Sequence, residues 1–239
     1  MQIIKLDAID STNRYLRDLV SEIPLEDFAV VAAKYQTHGR GQRATTWQSE
    51  KGKNLIISVL KKDISINIEH QFLLSIAVSL AVYKTLEAFQ IPNLSIKWPN
   101  DILSRQNKIG GILIELVTKK NKIDHAIIGI GLNVNQIEFD QLPKASSLKK
   151  ITGIHYNLDE LLCKLLENLK HFFNNANPSQ LWKIYEQFLF RKNKPSTFVD
   201  AQDVSFSGII QGVSKQGKLR VKTENSVEEF DLKSIQLLY

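Results

Sequence analysis

Hydrophobic and polar positions recur along this chain in two periods, and the switches between them mark out the elements. Ile3 to Leu6, Phe28 to Lys34 and Asn54 to Leu60 are apolar runs of strand length. Between the first two, Tyr15, Leu16, Leu19 and Val20 follow helical spacing. Asp10-Ser11-Thr12-Asn13 stands just ahead of them and predicts an N-cap; it also puts hydroxyl and amide groups at a helix N-terminus, where a small polar ligand can bind. His70 to Phe89 predicts a long helix. A second helix, Asn157 to Phe173, carries a stripe of Leu158, Leu161, Leu162, Leu165, Leu166, Leu169, Phe172 and Phe173, with Asn157 and Glu160 resembling a capping box. Cys163 lies next to that stripe and reads as structural. Ser179 to Phe190 predicts a further helix after Pro178. Lys192-Asn193-Lys194-Pro195 reads as a linker. Beyond it, SFSGIIQGV, KLRVKT, VEEFDL and IQLLY are short β-runs broken by Gly208, Gly212 and Gly217, the pattern of a small β-barrel of roughly 45 residues.

The stretch Lys97 to Glu115, KWPNDILSRQNKIGGILIE, organises the middle of the chain. A strand, Leu94 to Trp98, runs into a Pro99-Asn100-Asp101 turn, and the chain returns through Lys108-Ile109-Gly110-Gly111 into a second strand, Ile112 to Val117. Hairpin geometry would bring Asp101, Lys108 and the two glycines to one site. A carboxylate, an ammonium and bare backbone are what a magnesium-bound nucleotide requires; an ordinary β-hairpin with a polar turn is the other reading. Upstream, Gln36-Thr37-His38-Gly39-Arg40-Gly41-Gln42-Arg43 is a basic, glycine-containing loop whose backbone can approach an anion closely, and Trp47 follows it. The loop fits neither a Walker A nor a dinucleotide fingerprint, and a solvated basic turn is an equal account of it. Downstream, Ile123 to Val134 predicts a strand containing Gly129 and Gly131. Glycines at alternate strand positions leave one face bare, for a ligand, another backbone or a bulge. Lys119 to Lys122 reads as a solvated hairpin tip ahead of it.

Charge and length narrow the classes. Lys and Arg number 31 against 25 Asp and Glu, a net charge of +6, which suits an anionic ligand or an acidic protein partner. The basic residues are scattered, which weakens a nucleic-acid reading. The 239 residues suffice for one sizeable domain with or without a small appendage. A single cysteine excludes an intrachain disulfide framework and fits a reducing compartment. Phe72 to Phe89 contains Ser75, Ser79, Lys84 and Glu87 and reads as a buried helix, not a membrane span. Met1-Gln2 leads straight into a strand without a signal pattern, so a cytoplasmic location is expected.

Five stretches, in order, resemble a biotin–protein ligase of the short kind without an N-terminal DNA-binding domain: Asp10 to Asn13, the loop from Gln36 to Trp47, Lys97 to Asp101, Lys108 to Glu115, and Gly129 to Asn133. The likeness covers about residues 1–190 as a catalytic domain, and residues 191–239 look like that family's small SH3-like domain. The resemblance implies an α/β (α+β) fold, a mixed sheet with flanking helices of the class II synthetase-like kind. It implies a reaction that takes biotin and MgATP to biotinyl-5′-AMP and then to a lysine of a biotin carboxyl carrier protein. No nucleic acid or membrane is involved on this reading, and a homodimer is compatible with it.

By the match, Ser11, Thr12, Asn13, Gln36, Gly39, Arg40, Gly41, Lys108, Gly110, Gly111, Gly129 and Gly131 would bind biotin. Arg40, Gln42, Arg43, Trp47, Lys97, Asn100, Asp101, Lys108 and Asn133 would bind ATP. Lys108, Arg40, Arg43 and Asp101 would serve the chemistry, and Asp101 would meet the Mg²⁺. Joining a carboxylate to a phosphate brings two anions together, which calls for fixed and mobile cations more than for an enzyme nucleophile. The loop departs from the family's usual Gly-Arg-Gly-Arg-Arg-Gly by Gln42 and Ala44, with His38 where a small residue is usual. Gln42 carries no charge, and Ala44 resists a positive φ. A lipoate–protein ligase or octanoyltransferase of the same fold family is the nearest alternative. A DNA-binding biotin sensor and a non-catalytic binding module are more distant ones.

Overall fold

The computed structural model describes every residue except Met1, Arg43, Ala44, Ser65, Lys120, Asn121, Gln141, Ala176 and Lys233. The apolar runs of the first 132 residues become seven strands of one mixed sheet: β1 (Ile3–Leu6), β2 (Val30–Ala33), β3 (Leu55–Lys62), β4 (Leu94–Lys97), β5 (Asp101–Ser104), β6 (Asn107–Lys119) and β7 (Lys122–Leu132). Their spatial order is β1-β2-β3-β7-β6-β5-β4, parallel between β1 and β2 and antiparallel elsewhere.

Period two decides what covers each face. Ile57, Ile112, Ile128 and Ile130, all buried, point to one side. There they join the main core with α2 (Phe72–Ala88), the short α3 (Leu148–Thr152), α4 (Leu158–Asn175) and α5 (Pro178–Gln187). Helix α2 is apolar around most of its circumference because it is buried around most of it, packed on β4, β5, β6, α4 and α5. Together with the turn before it, as Ile68–Ala88, it is long and apolar enough to cross a membrane, yet here it is mostly buried as a core helix. On the other face α1 (Thr12–Glu22) covers β2, β3 and β7 through a smaller core of Leu16, Val31, Leu60 and Ile127. The rest of that face stays open.

A second sheet follows, antiparallel throughout, in the order β11-β10-β9-β8-β12: β8 (Pro195–Asp200), β9 (Ser205–Val213), β10 (Leu219–Lys222), β11 (Val227–Phe230) and β12 (Ile235–Leu238). It is fastened to the first layer by specific bonds. Trp98 Nε1 donates to Gly217 O at 2.8 Å, and Glu186 at the end of α5 takes Lys192 Nζ at 2.6 Å and the Val213 N–H at 3.3 Å.

Four local expectations are corrected. The segment Asp101–Ser104 is itself a strand, so Lys97 to Glu115 forms a three-stranded meander, not one hairpin. Ser11 occupies the N-cap position of α1 but makes no side-chain cap bond. Cys163 is exposed, on the solvent side of α4. Residues 192–194 are not a free linker: Asn193 N donates to Ile210 O at 2.9 Å and Lys192 bridges to Ile210. The Asn157 cap holds, its Oδ1 accepting from Asp159 N at 2.9 Å and more weakly from Glu160 N. The expected tip at Lys119 to Lys122 joins β6 to β7, with Lys120 and Asn121 outside the described residues.

Candidate active site

The register of the sheet assembles the site. Lys97 pairs with Asp101, Asp101 with Gly111, Gly111 with Gly131, and Gly131 with Ile56, so five residues from five strands form one rank across the open face. A second rank, two residues along, runs Leu113, Gly129, Ser58. A β-bulge brings in Lys108. Ile102 faces Gly110 while Leu103 faces Lys108, so Ile109 is the extra residue and Lys108 turns onto Gly111's side. A Cβ built on Gly111 would lie 3.4 Å from Lys108 Nζ. Lys108 Nζ then meets Asp101 Oδ1 at 2.6 Å, and Lys97 Nζ meets Asp101 Oδ2 at 3.3 Å.

These ranks floor a cavity of about 480 Å³, within the size range of small-molecule sites. The bare glycines are required by what lies over them. A Cβ on Gly131 would come 2.6 Å from the Trp47 ring, and one on Gly129 would come 2.5 Å from Asn13 Oδ1. The Trp47 ring therefore rests directly on the bare backbone of Gly111 and Gly131, with Lys108 Nζ 5.7 Å from its centre. Its Nε1 is buried with no partner among the described residues, a donor facing the cavity floor.

The two ends of the cavity differ in kind. One is neutral and polar. Thr12 N and Oγ1 both donate to Gln36 Oε1, at 2.8 and 3.0 Å, and Ser58 Oγ donates to Asn13 Oδ1 at 2.6 Å. The Thr12 and Asn13 polar groups are thus spent on this buried network, while Asp10 accepts from Ser11 N and pairs with Arg14. The other end is cationic: Lys97 and Lys108 pair with Asp101, the one acidic side chain among the described lining residues, and Lys144 lies in the same lining. Tyr239 sits between two of these ammoniums: Lys144 Nζ lies 4.1 Å and Lys97 Nζ 5.2 Å from its ring centre. Asn100 is a brace, its Nδ2 donating to Ile112 O at 2.8 Å.

Of the residues the sequence singles out, Ser11, Asn13, Gln36, Arg40, Gly41, Gln42, Trp47, Lys97, Asn100, Asp101, Lys108, Gly111, Gly129 and Gly131 line this one cavity. Thr12 and Gly39 lie just behind it; Gly39 is needed because a Cβ there would strike Trp47 O. Two expectations are corrected. Gly110 faces the opposite side, where a Cβ would meet Leu132 Cδ2 at 2.6 Å, so it serves core packing. Asn133 is outside the lining and buried, its Nδ2 donating to Ser146 O at 3.0 Å to hold the segment that carries Lys144. Arg43 lies outside the described residues. Ser58, Glu115, Lys144 and Tyr239 are absent from the sequence reading. Glu115 stands in the quoted motif, and period two from Gly111 and Leu113 could have placed it on the same face. Lys144 and Tyr239 leave no such signal, since only the fold brings residues 97, 144 and 239 together.

The model of the Biotin/lipoate A/B protein ligase family matches residues 6–133. A bifunctional ligase/repressor BirA of Bacillus spizizenii is 30% identical over 249 aligned positions, covering 98% of this chain and 74% of that protein. A biotin–[acetyl-CoA-carboxylase] ligase of Mycobacterium tuberculosis is 30% identical over 183 positions, covering 73% of this chain and 67% of its own. Among solved structures, a biotin protein ligase from Aquifex aeolicus in complex with biotin and ATP superposes with a TM-score of 0.79 at 28% identity, covering 99% of this chain and 98% of that one. The match of the family model to more than half of the chain, together with these relatives, makes this protein a member of the Biotin/lipoate A/B protein ligase family.

Proposed function

We propose that this chain is a biotin–protein ligase: it activates biotin with ATP as biotinyl-5′-AMP and passes the biotinyl group to a lysine of a carboxylase carrier protein. The observation that carries the reading is the cavity with one end lined by the amides of Asn13 and Gln36 and a cationic end where Lys97 and Lys108 both pair with Asp101, with Lys144 in the same lining. The related ligases, and the Aquifex structure holding biotin and ATP, support it.

In the first step a biotin carboxylate oxygen attacks the α-phosphorus of ATP, a P–O bond forms, the α–β bridging bond breaks, and pyrophosphate leaves. No enzyme nucleophile is required. Lys108, held by Asp101 at the centre of the floor, is placed to neutralise the charge that builds at the α-phosphoryl oxygens. Lys97 and Lys144 at the same end suit the departing pyrophosphate. Trp47 covers the floor and shields a mixed anhydride that water would hydrolyse. In the second step the acceptor amine attacks the acyl carbon, a C–N bond forms, the acyl C–O bond breaks and AMP leaves; Asp101 is the carboxylate available to take the proton that the amine gives up.

Magnesium fits this site only as a companion of the nucleotide. No group of three or more His, Cys, Asp or Glu able to hold a metal ion occurs among the described residues, and both oxygens of Asp101 face lysines. One carboxylate plus substrate phosphates is an ordinary Mg²⁺ arrangement, and the ion would supply charge neutralisation on the phosphates.

The test is adenylate formation from biotin and ATP by the purified protein, read by mass, followed by transfer to an apo carrier domain. A biotinyl-adenylate and a carrier heavier by one biotinyl group are expected. Adenylation of lipoate in preference to biotin would move the chain to the other branch of its family.

A further inference from the structure

The polar end of the cavity has a fixed hydrogen-bond polarity, and a residue outside the lining sets half of it. Thr12 N–H can only donate, so the Gln36 atom facing it must be Oε1; both of that oxygen's acceptor positions are filled, and Gln36 Nε2 is left to donate. Asn13 is fixed from the other side. One of its amide atoms faces Glu115 Oε2 at 2.8 Å and Leu113 O at 3.3 Å, groups that can only accept, so that atom must be Nδ2. Its Oδ1 therefore turns to Ser58 and to the bare floor at Gly129, with one acceptor position still open. The carboxylate that enforces this is itself held: Glu115 Oε1 pairs with Arg17 of α1 and lies 3.9 Å from Arg40 of the basic loop.

We propose that Glu115 is a positioning residue for ring recognition, fixing Asn13 as an acceptor beside the donor Gln36 so that the site takes a ring carrying N–H next to C=O. A cyclic urea or lactam satisfies both groups, and a dithiolane or a plain alkyl chain satisfies neither. This rests on the proposed biotin site and names what makes that site select its acid. A buried amide left unpaired by the wrong ring is the discriminating penalty.

The experiment is calorimetric binding of biotin and of ATP to the full chain as wild type, Glu115→Ala and Glu115→Gln, with folding checked by circular dichroism. Glu115→Ala is expected to raise the biotin Kd about tenfold or more, with ATP affinity within about twofold. Glu115→Gln should recover most of the loss, because its carbonyl still accepts from Asn13. Unchanged biotin affinity in Glu115→Ala, equal losses in both variants, or an equal loss for ATP would each overturn the role. A second measurement needs no variant: the two cyclic-carbamate analogues of biotin, each with one ring N–H replaced by oxygen. At least one should bind wild type about tenfold more weakly than biotin; binding of both as tight as biotin refutes an acceptor at Asn13. Wild-type protein that binds no biotin would refute the proposed function itself, whereas wild-type binding with an insensitive Glu115 refutes only this inference.

Discussion

Replacing Lys108 by alanine removes the one ammonium at the centre of the cavity floor, and the structure separates its effect on the reaction from its effect on the fold. The Lys108 side chain is 36% exposed, so its 2.6 Å pair with Asp101 is partly solvated, and Asp101 keeps Lys97 at 3.3 Å. Loss of such a pair costs the folded state about 1 kcal/mol at most. Gly111 beneath it is already bare, so no packed surface is lost. The transition state behaves differently. There the negative charge is concentrated on the α-phosphoryl oxygens, where a preorganised donor contributes roughly 3–4 kcal/mol, or 10²- to 10³-fold in rate. Single-turnover formation of the adenylate, quenched and quantified by mass, isolates this step from product release. The expected result is a rate at least about 10²-fold lower, with a melting temperature within a few degrees of wild type. A loss below about tenfold with biotin binding intact would refute the role given to Lys108.

Other consequences follow from single contacts. Gly131→Ala puts a methyl group 2.6 Å from the Trp47 ring while leaving an ordinary backbone conformation untouched; the indole must leave the floor, which should red-shift its fluorescence and raise the ATP KM by about tenfold. Lys144→Ala removes a cation from the pyrophosphate end and frees Tyr239; ATP affinity should fall by about fivefold with biotin Kd unchanged, and an equal change in both would contradict the division of the cavity. Tyr185 is fully buried, and its hydroxyl has no partner among the described residues. Burial pushes its ionisation well above the usual tyrosine range. Above about pH 10 the unfolded chain releases this proton and the folded chain keeps it, so stability present below pH 10 declines as pH rises further. Tyr185→Phe should flatten that decline and raise the urea unfolding free energy by about 1 kcal/mol; destabilisation instead would mean that the hydroxyl is satisfied.

The fold was largely legible because its signals are local. Alternating isoleucines, the leucine stripe of α4 and its Asn157 cap specify elements that need no distant partner. β5 was hidden because its four residues lie between a Pro-Asn-Asp turn and a polar run, too short for a period to show. The glycines announced an open face but not which of them opens it. The register on β7 turns Gly111 toward the cavity and Gly110 toward Leu132, and the bulge at Ile109 brings Lys108 to Gly111's side. The run Ser11, Thr12, Asn13 has the composition of a cap, and only Gln36 and Ser58 of β3, by offering partners to Thr12 and Asn13, turn those two toward the cavity instead. Lys144 and Tyr239 belong to the site through tertiary contact alone, so no spacing along the chain could have joined them to Lys97.

The most direct test of the ligase assignment is pyrophosphate release from ATP by the purified chain, compared with biotin, lipoate, octanoate or no acid present. Release with biotin alone, accompanied by biotinyl-5′-AMP, is the predicted result. Release with lipoate or octanoate but not biotin, or silence with every acid in protein shown to be folded, would contradict it.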